Sequence, residues 1–206
     1  MNYILYIITV YFIGAIPSAF IMGKLWKNID IRQHGSGNVG FTNALRVLGK
    51  VPGTITLIAD IAKGFFPVFY ARRLGIELES IHSLMPQIFT ALAGMTAIIG
   101  HIYSVYIQFK GGKGIATGCG VFLALAPIET LAAFGIWSLF LWFFKIVSIS
   151  SIVSVISLPV FMVLFHNSPI YVIMAVVMAI VTIIKHRSNI NRLLNRTEPK
   201  ITARKP

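Results

Sequence analysis

Apolar residues fall into long, nearly unbroken runs along this chain, not into the alternating or three-to-four-spaced patterns of half-buried elements. The first run occupies residues 3–23, the second 53–70 and the third 84–103. The next stretch, 114–144, is too long for one membrane helix and short for two, and Pro127 and Glu129 sit in its middle. Proline disfavours the helical conformation in the residue before it, so the stretch is expected to split there into two short helices. A sixth run covers 149–165, and the turn signal HNSP at 166–169 separates it from a seventh over 170–184. Crossing ~30 Å of hydrocarbon takes about 20 helical residues at roughly 1.5 Å each. The pattern therefore predicts an all-α, polytopic membrane protein of seven transmembrane helices. Without an internal repeat or a linker, residues 1–206 are expected to form a single membrane-integral domain.

Charge orients the spans. Of the 206 residues 56% are hydrophobic and 12% charged, and mean hydropathy is +0.81. A soluble domain carries roughly a quarter charged residues. Lys and Arg number 18 against 6 acids, a net charge of +12. A nucleic-acid binder would display that excess on a polar surface. Here the cations punctuate apolar runs, which excludes nucleic acid and points to the bilayer. Fifteen of them lie in 24–52, 110–113, 145–148 and the tail from 185; the alternate connections hold only Arg72 and Arg73, answered by Glu77 and Glu79. The positive-inside rule then places the N-terminus outside and the C-terminus in the cytoplasm. No Lys or Arg precedes the first apolar run, so it reads as a retained helix and not as a secretory signal. A single cysteine, Cys119, rules out an intrachain disulfide and is expected to be a packing residue.

The polar segments between the spans are unequal. Three of them, RQHGSGNVGFTNALR at 32–46, QFKGGKGIATG at 108–118 and KHRSNINR at 185–192, are rich in Gly, Asn and Ser with interspersed cations. All three fall on the predicted cytoplasmic side, which suggests one site. Glycine admits close backbone approach, and successive free N–H groups form anion nests. Arg46 offers a planar fork for phosphate and Lys113 a point charge between Gly112 and Gly114. The backbone amides of Gly35, Ser36, Gly37 and Asn38, and those of Gly111 and Gly112, are expected to share in holding the anion. No carboxylate lies within these segments, so a metal-free anion site is expected, with no cofactor. GGKG is not a nucleotide-binding P-loop, because Ile107 stands where a glycine should and Gly114 where Ser or Thr should. Taken alone it is as well explained by a flexible loop, and basic residues at a membrane rim by lipid contacts. Asp60 and Lys63, one helical turn apart within a span, read as a structural ion pair.

Three stretches in order, GSGNVGFTNALRVLGK at 35–50, FKGGKGIATGCG at 109–120 and IKHRSNINRLLNRTEPKI at 184–201, resemble the signature regions of the bacterial acyl-phosphate:glycerol-3-phosphate acyltransferases. GAIPSAFIMGK, DIAKG, GHIYSVYIQF and VSISS extend the resemblance over almost the whole chain. It implies an enzyme of the bacterial cytoplasmic membrane, active on the cytoplasmic face. The enzyme would move a fatty acyl group from acyl phosphate to the sn-1 hydroxyl of glycerol-3-phosphate, releasing lysophosphatidic acid and phosphate. Its partners would be those two substrates and the lipid bilayer, and a monomer is expected. The family often has Pro where Ser104 or Val105 stands here and Gly where Asn195 stands.

An acyl phosphate already has a good leaving group, so the chemistry is mainly positioning and oxyanion stabilisation. The expected catalytic residues are Ser36, Arg46, Lys113, His186 and Asn189. His186 and Asn189, three apart, would share a helical face and orient the acceptor, with either His186 or a substrate phosphate oxygen as the general base. Substrate contacts are expected from Gly35, Gly37, Asn38, Thr42, Asn43, Gly111, Gly112, Gly114, Thr117 and Ser151, although Thr117 would equally serve as a helix N-terminal hydroxyl. No histidine is followed five residues later by an aspartate, as the dyad of other glycerol acyltransferases would require. The alternative function is a phosphate or organic-anion transporter lined by Asp60 and Lys63. Few polar residues interrupt the spans, and no inverted repeat supports that reading.

Overall fold

A computed structural model describes residues 2–75 and 84–201, so Glu77, Glu79, Arg204 and Lys205 of the charge pattern lie outside the described residues. The ordered elements are α1 (Tyr3–Ala15), α2 (Ser18–Lys27), α3 (Phe41–Leu48), α4 (Lys50–Gly75), α5 (Met85–Ile102), α6 (Ile115–Leu125), α7 (Pro127–Phe144), α8 (Val147–Leu164), α9 (Pro169–Lys185) and α10 (Arg187–Leu194). Two short 3-10 turns, Ile31–Gln33 and Val105–Ile107, join some of them. The split at Pro127 is present, and the five runs from 53 to 165 match α4 to α8 to within a few residues at most ends.

The first apolar run is not one helix. It breaks at Ile16 and Pro17, where α1 and α2 meet at 41°. Pro17 forces Ile16 out of the helical region, to ψ 116°. Backbone carbonyls freed in a membrane interior need new donors. The hydroxyl of Ser104 donates to the Ala15 carbonyl at 2.5 Å, and Lys63 Nζ donates to the Ile16 carbonyl at 2.7 Å. A second break, of 58°, falls at His186 between α9 and α10.

Four helices are individually long and apolar enough to cross a membrane, and up to six spans result if each bent pair counts as one. The eleven residues of α6 cover only about 16 Å. Size is sorted inside out. Ala15, Ala19, Ala44, Ala93 and Ala97 are buried, while Leu25, Ile58, Phe66, Trp142 and Phe143 face outward. Small residues bring backbones together, as expected where lipid, not water, is the competitor. A β-carbon at Gly14 would lie 2.3 Å from the Ala97 carbonyl oxygen, and one at Gly120 2.0 Å from that of Ile61. These contacts seat α1 on α5 and α4 on α6.

The chain forms two compact units, residues 1–125 and 126–206. In the first, α4 packs against α3, α5 and α6, and α1 and α2 close over α5 and α4 respectively. In the second, α8 packs between α7 and α9. Its polar ties are Ser154 Oγ to the Ala133 carbonyl at 2.9 Å and Asn167 Nδ2 to Glu129 Oε1 at 2.8 Å.

Candidate active site

In the first unit, the loop leading into α3 is built by its own polar side chains. Asp30 accepts the Arg32 backbone N–H at 3.0 Å and grips its guanidinium at 2.7–3.1 Å. The Arg32 side chain beside it holds the Asp30 carboxyl down to about 2. His34 Nδ1 bonds the Asp30 carbonyl at 3.0 Å. Beyond it, Gly35 adopts φ +63°, and a β-carbon there would stand 2.2 Å from Asn43 Oδ1. Left-handed backbone pressed against a side chain leaves room only for glycine.

Asn43 is the reason for that closeness. It is wholly buried, accepts the Ser36 N–H at 2.9 Å, and donates to the carbonyls of His34 at 3.0 Å and Ile31 at 3.3 Å. Expected as a substrate contact, Asn43 has its amide taken up by the loop. Ser36 stays exposed, Asn38 places its amide nitrogen beside Gly40, and Gly40 starts α3 without a side-chain cap. The first N–H groups of a helix have no intrahelical acceptor, and Thr42 lies in that turn. Arg46 is exposed in the last turn of α3.

The second segment packs directly onto the first. Gln108 and Phe109 turn through left-handed backbone. Gly111 N–H then donates to the Ile102 carbonyl at 3.2 Å and Gly112 N–H to the His101 carbonyl at 3.1 Å. A β-carbon on Gly112 would meet His101 Nε2 at 2.2 Å and the Val39 carbonyl oxygen at 2.9 Å. Gly112 is thus where the two glycine-rich stretches touch. Lys113 follows, half-buried, and Gly114 with φ +88° leads into α6.

Two expectations change here. The N–H groups of Ser36, Gly37, Gly111 and Gly112 were expected to hold an anion, but they are donated to Asn43, His34, Ile102 and His101. Tight turns supply their own acceptors, so the glycines shape the loops and leave the charge to side chains. Thr117 is fully buried on α6, with its hydroxyl unpartnered among the described residues, and its carbonyl would meet a β-carbon at Gly64 at 2.2 Å. It belongs to the α4–α6 crossing and not to an open surface.

In the second unit, His186 caps α9 and starts α10, so the helix does not run straight through His186 and Asn189 as their spacing suggested. Its Nδ1 bonds the Thr182 carbonyl at 2.8 Å. A carbonyl only accepts, so Nδ1 carries a proton in this bond. Asn189 Nδ2 donates to Glu198 Oε1 at 2.6 Å. The same carboxylate accepts Ser148 Oγ at 2.8 Å and Arg192 Nε at 2.7 Å. Burial pushes the Glu198 carboxyl up, but the bonds from Asn189, Ser148 and Arg192 outweigh it and hold it below the usual range. Ser151 Oγ is bonded by Trp137 Nε1 at 3.2 Å. Sequence reasoning missed Glu198. The signal was available, as it is the one acid in a strongly basic tail.

The sequence profile of the family described as Glycerol-3-phosphate acyltransferase matches residues 4–196. The chain belongs to that family. Among glycerol-3-phosphate acyltransferases, that of Fusobacterium nucleatum is 40% identical over 200 residues, covering 97% of this chain and 98% of the relative. That of Desulforamulus reducens is 44% identical over 202 residues, covering 98% and 96%. The crystal structure of PlsY (YgiH), an integral membrane glycerol 3-phosphate acyltransferase in its glycerol 3-phosphate form, is similar at TM-score 0.87 and 35% identity, covering 97% of this chain and 96% of that one. Its lysophosphatidic acid form is similar at TM-score 0.84 and 36% identity, covering 97% and 95%. With its long apolar helices, this glycerol-3-phosphate acyltransferase family member is a membrane protein.

Proposed function

We propose that this protein transfers a fatty acyl group from acyl phosphate to the sn-1 hydroxyl of glycerol-3-phosphate, giving lysophosphatidic acid and inorganic phosphate. The observation that carries the reading is the likeness, over 97% of the chain, to a solved membrane acyltransferase in its glycerol 3-phosphate form. The packing of the two glycine-rich segments at Gly112 and Val39, beside the half-buried Lys113, supports it.

The reaction forms one acyl C–O bond and breaks another. The acceptor hydroxyl attacks the carbonyl, the carbonyl oxygen becomes transiently anionic, and the bond to phosphate then cleaves. Two phosphates bring about three to four negative charges, since the second pKa of a phosphate monoester is ~6. Lys113 and Arg46 are the cations assigned to them, with Ser36, Asn38 and Thr42 as hydrogen-bonding partners. Cations already in place when the charge develops stabilise it without reorganisation. Gly35, Gly37, Gly111, Gly112, Gly114 and Asn43 give the loops their form. The base that takes the hydroxyl proton is His186 or a substrate phosphate oxygen. Asn189 and the Glu198 cluster hold the start of α10 around His186, and Ser151 is assigned to the acceptor.

The chain acts as a monomer with no cofactor and no nucleic-acid partner. It makes seven crossings when the bent pairs each count as one and the short α6 as another. The N-terminus lies outside and the catalytic face in the cytoplasm. Purified protein in detergent with palmitoyl phosphate and glycerol-3-phosphate should release phosphate only when both are present. Lys113→Ala and Arg46→Ala should each abolish release, and Lys205→Ala should leave it unchanged. Phosphate flux across proteoliposomes without acyl transfer would overturn the proposal in favour of a transporter.

A further inference from the structure

A cluster of charged and polar side chains lies buried in the first unit, apart from the loops assigned to substrate. Asp60, Lys63, Ser18 and His101 are each at most 7% exposed. Asp60 Oδ1 accepts the Ser18 hydroxyl at 2.9 Å and the Lys63 ammonium at 2.7 Å. Lys63 also donates to the Ile16 carbonyl at the break in the first apolar run. His101 Nδ1 stands 3.7 Å from the same Asp60 oxygen, beyond hydrogen-bond length but within close electrostatic range. Charges this deep in a membrane protein are costly, so they persist where they are paired and where something depends on them.

His101 faces two ways. One edge of its ring is turned to Asp60. The other, Nε2, stands so close to Gly112 that no β-carbon fits between them. The main chain of the same turn holds the loop as well, since the carbonyls of His101 and Ile102 accept the N–H groups of Gly112 and Gly111. Lys113 is the next residue. A loop rich in glycine has little stiffness of its own, so the path of the backbone into Lys113 depends on what the loop rests on.

We propose that His101 is a positioning residue: backed by the buried Asp60–Lys63–Ser18 cluster, its imidazole is the platform that fixes the Gly111–Gly112 turn and so aims Lys113 at a substrate phosphate. The inference rests on the acyltransferase reading for the identity of the anion, and on packing alone for the platform. The buried ion pair then has a task besides closing the helix break. It presents a rigid ring to a loop that must not move while a phosphate is bound, and a misplacement near 1 Å in such a site costs on the order of 100-fold.

The test is a cycle over His101→Asn and Gly112→Ala in the full-length protein. Asparagine keeps an amide near the Nδ1 position, facing Asp60, and withdraws the ring from Gly112. His101→Asn should raise the KM for one phosphate substrate about tenfold, with kcat within about threefold and an unchanged unfolding temperature in detergent. Gly112→Ala should do the same or worse. Together they should cost clearly less than the product of their separate effects, because both disturb one contact. Independent of turnover, hydrogen–deuterium exchange at residues 108–114 should quicken about tenfold in His101→Asn and stay unchanged at the α4–α6 crossing.

Unchanged exchange and KM in a folded His101→Asn variant, or fully multiplicative effects in the cycle, would refute the platform. If His101→Asn does not fold, His101→Gln, which reaches the Nε2 position, must hold the loop and restore a near-normal KM, and failure to do so counts against the proposal. A wild-type protein inactive with both substrates would overturn the acyltransferase reading, while the exchange measurement would still decide the platform.

Discussion

Asn43 offers the sharpest test of how the first loop is held. Replacing it with alanine removes three hydrogen bonds at once, from the Ser36 N–H and to the His34 and Ile31 carbonyls. Each is worth about 1 kcal/mol net, and a buried carbonyl left without a donor costs about 1–3 kcal/mol. Neither carbonyl is left so, because those of His34 and Ile31 also accept the Gly37 and His34 N–H groups at 3.1 and 3.2 Å, and what is lost is the net worth of the three bonds. The loss is therefore about 3 kcal/mol, concentrated in residues 31–40 and not spread over the helices. If that ordering energy is needed to present Ser36 and Thr42, kcat/KM for glycerol-3-phosphate falls about 100-fold. Asn43→Asp should be worse than alanine, because an oxygen then faces two carbonyls where an amide donated. Phosphate release gives the rate, and exchange at 31–40 without substrate gives the loop opening. A folded Asn43→Ala protein with kcat/KM within about threefold of wild type, or with unchanged exchange, would refute the assignment and return Asn43 to direct substrate contact.

Other tests are simpler. Glu198→Gln removes the charge that gathers Asn189, Ser148 and Arg192, and should lower kcat more than tenfold, measured by phosphate release. The Glu198 carboxyl is depressed in the folded protein, so its stabilisation is present above the ordinary carboxylate pKa of about 4.3 and is lost as pH falls through the lower folded value. Unfolding temperature should therefore drop in that acid range for wild type and less so for Glu198→Gln. Gly35→Ala places a β-carbon on Asn43 Oδ1 in left-handed backbone, and about 1–2 kcal/mol of strain alone should raise KM for glycerol-3-phosphate several-fold. Gly120→Val would drive α6 off the Ile61 carbonyl and should show as loss of monodisperse protein on gel filtration.

Much of this architecture was legible because hydrocarbon length imposes itself on sequence. The runs later seen as α4, α5, α7, α8 and α9 need no partner to be recognised, and Pro127 announces its own break. Pro17 is the same residue type in a similar run, yet its break went unread. The apolar residues continue through it, and the compensation comes from Lys63 and Ser104, 47 and 89 positions away. Nothing local records such a bond. The eight residues of α3 escaped for a related reason: TNALR is polar enough for a loop, and only burial of Ala44 and Leu48 makes one face a helix. At the candidate site the residue types were legible, but not which donors remain available. Gly111 and Gly112 look like open amides in sequence, and only the fold shows that Ile102 and His101 already accept from them. Glu198 gives no local sign of its role: Asn189 and Arg192, 9 and 6 positions back, meet it only because the chain turns after α10, and Ser148 comes from 50 positions away.

The carbonyls exposed at Pro17 have a bearing on biogenesis. While the ribosome is still delivering the chain, the bent opening pair reaches the lipid with the Ala15 carbonyl short of its Ser104 donor and the Ile16 carbonyl met only by the Ser18 N–H. The Ile16 carbonyl gains its charged donor only after the segment carrying Lys63 has been inserted, and the Ala15 carbonyl its hydroxyl only after the turn carrying Ser104. Until then the first segment is best left at the translocon or the water-lipid boundary. The earliest span to be synthesised is among the last to settle.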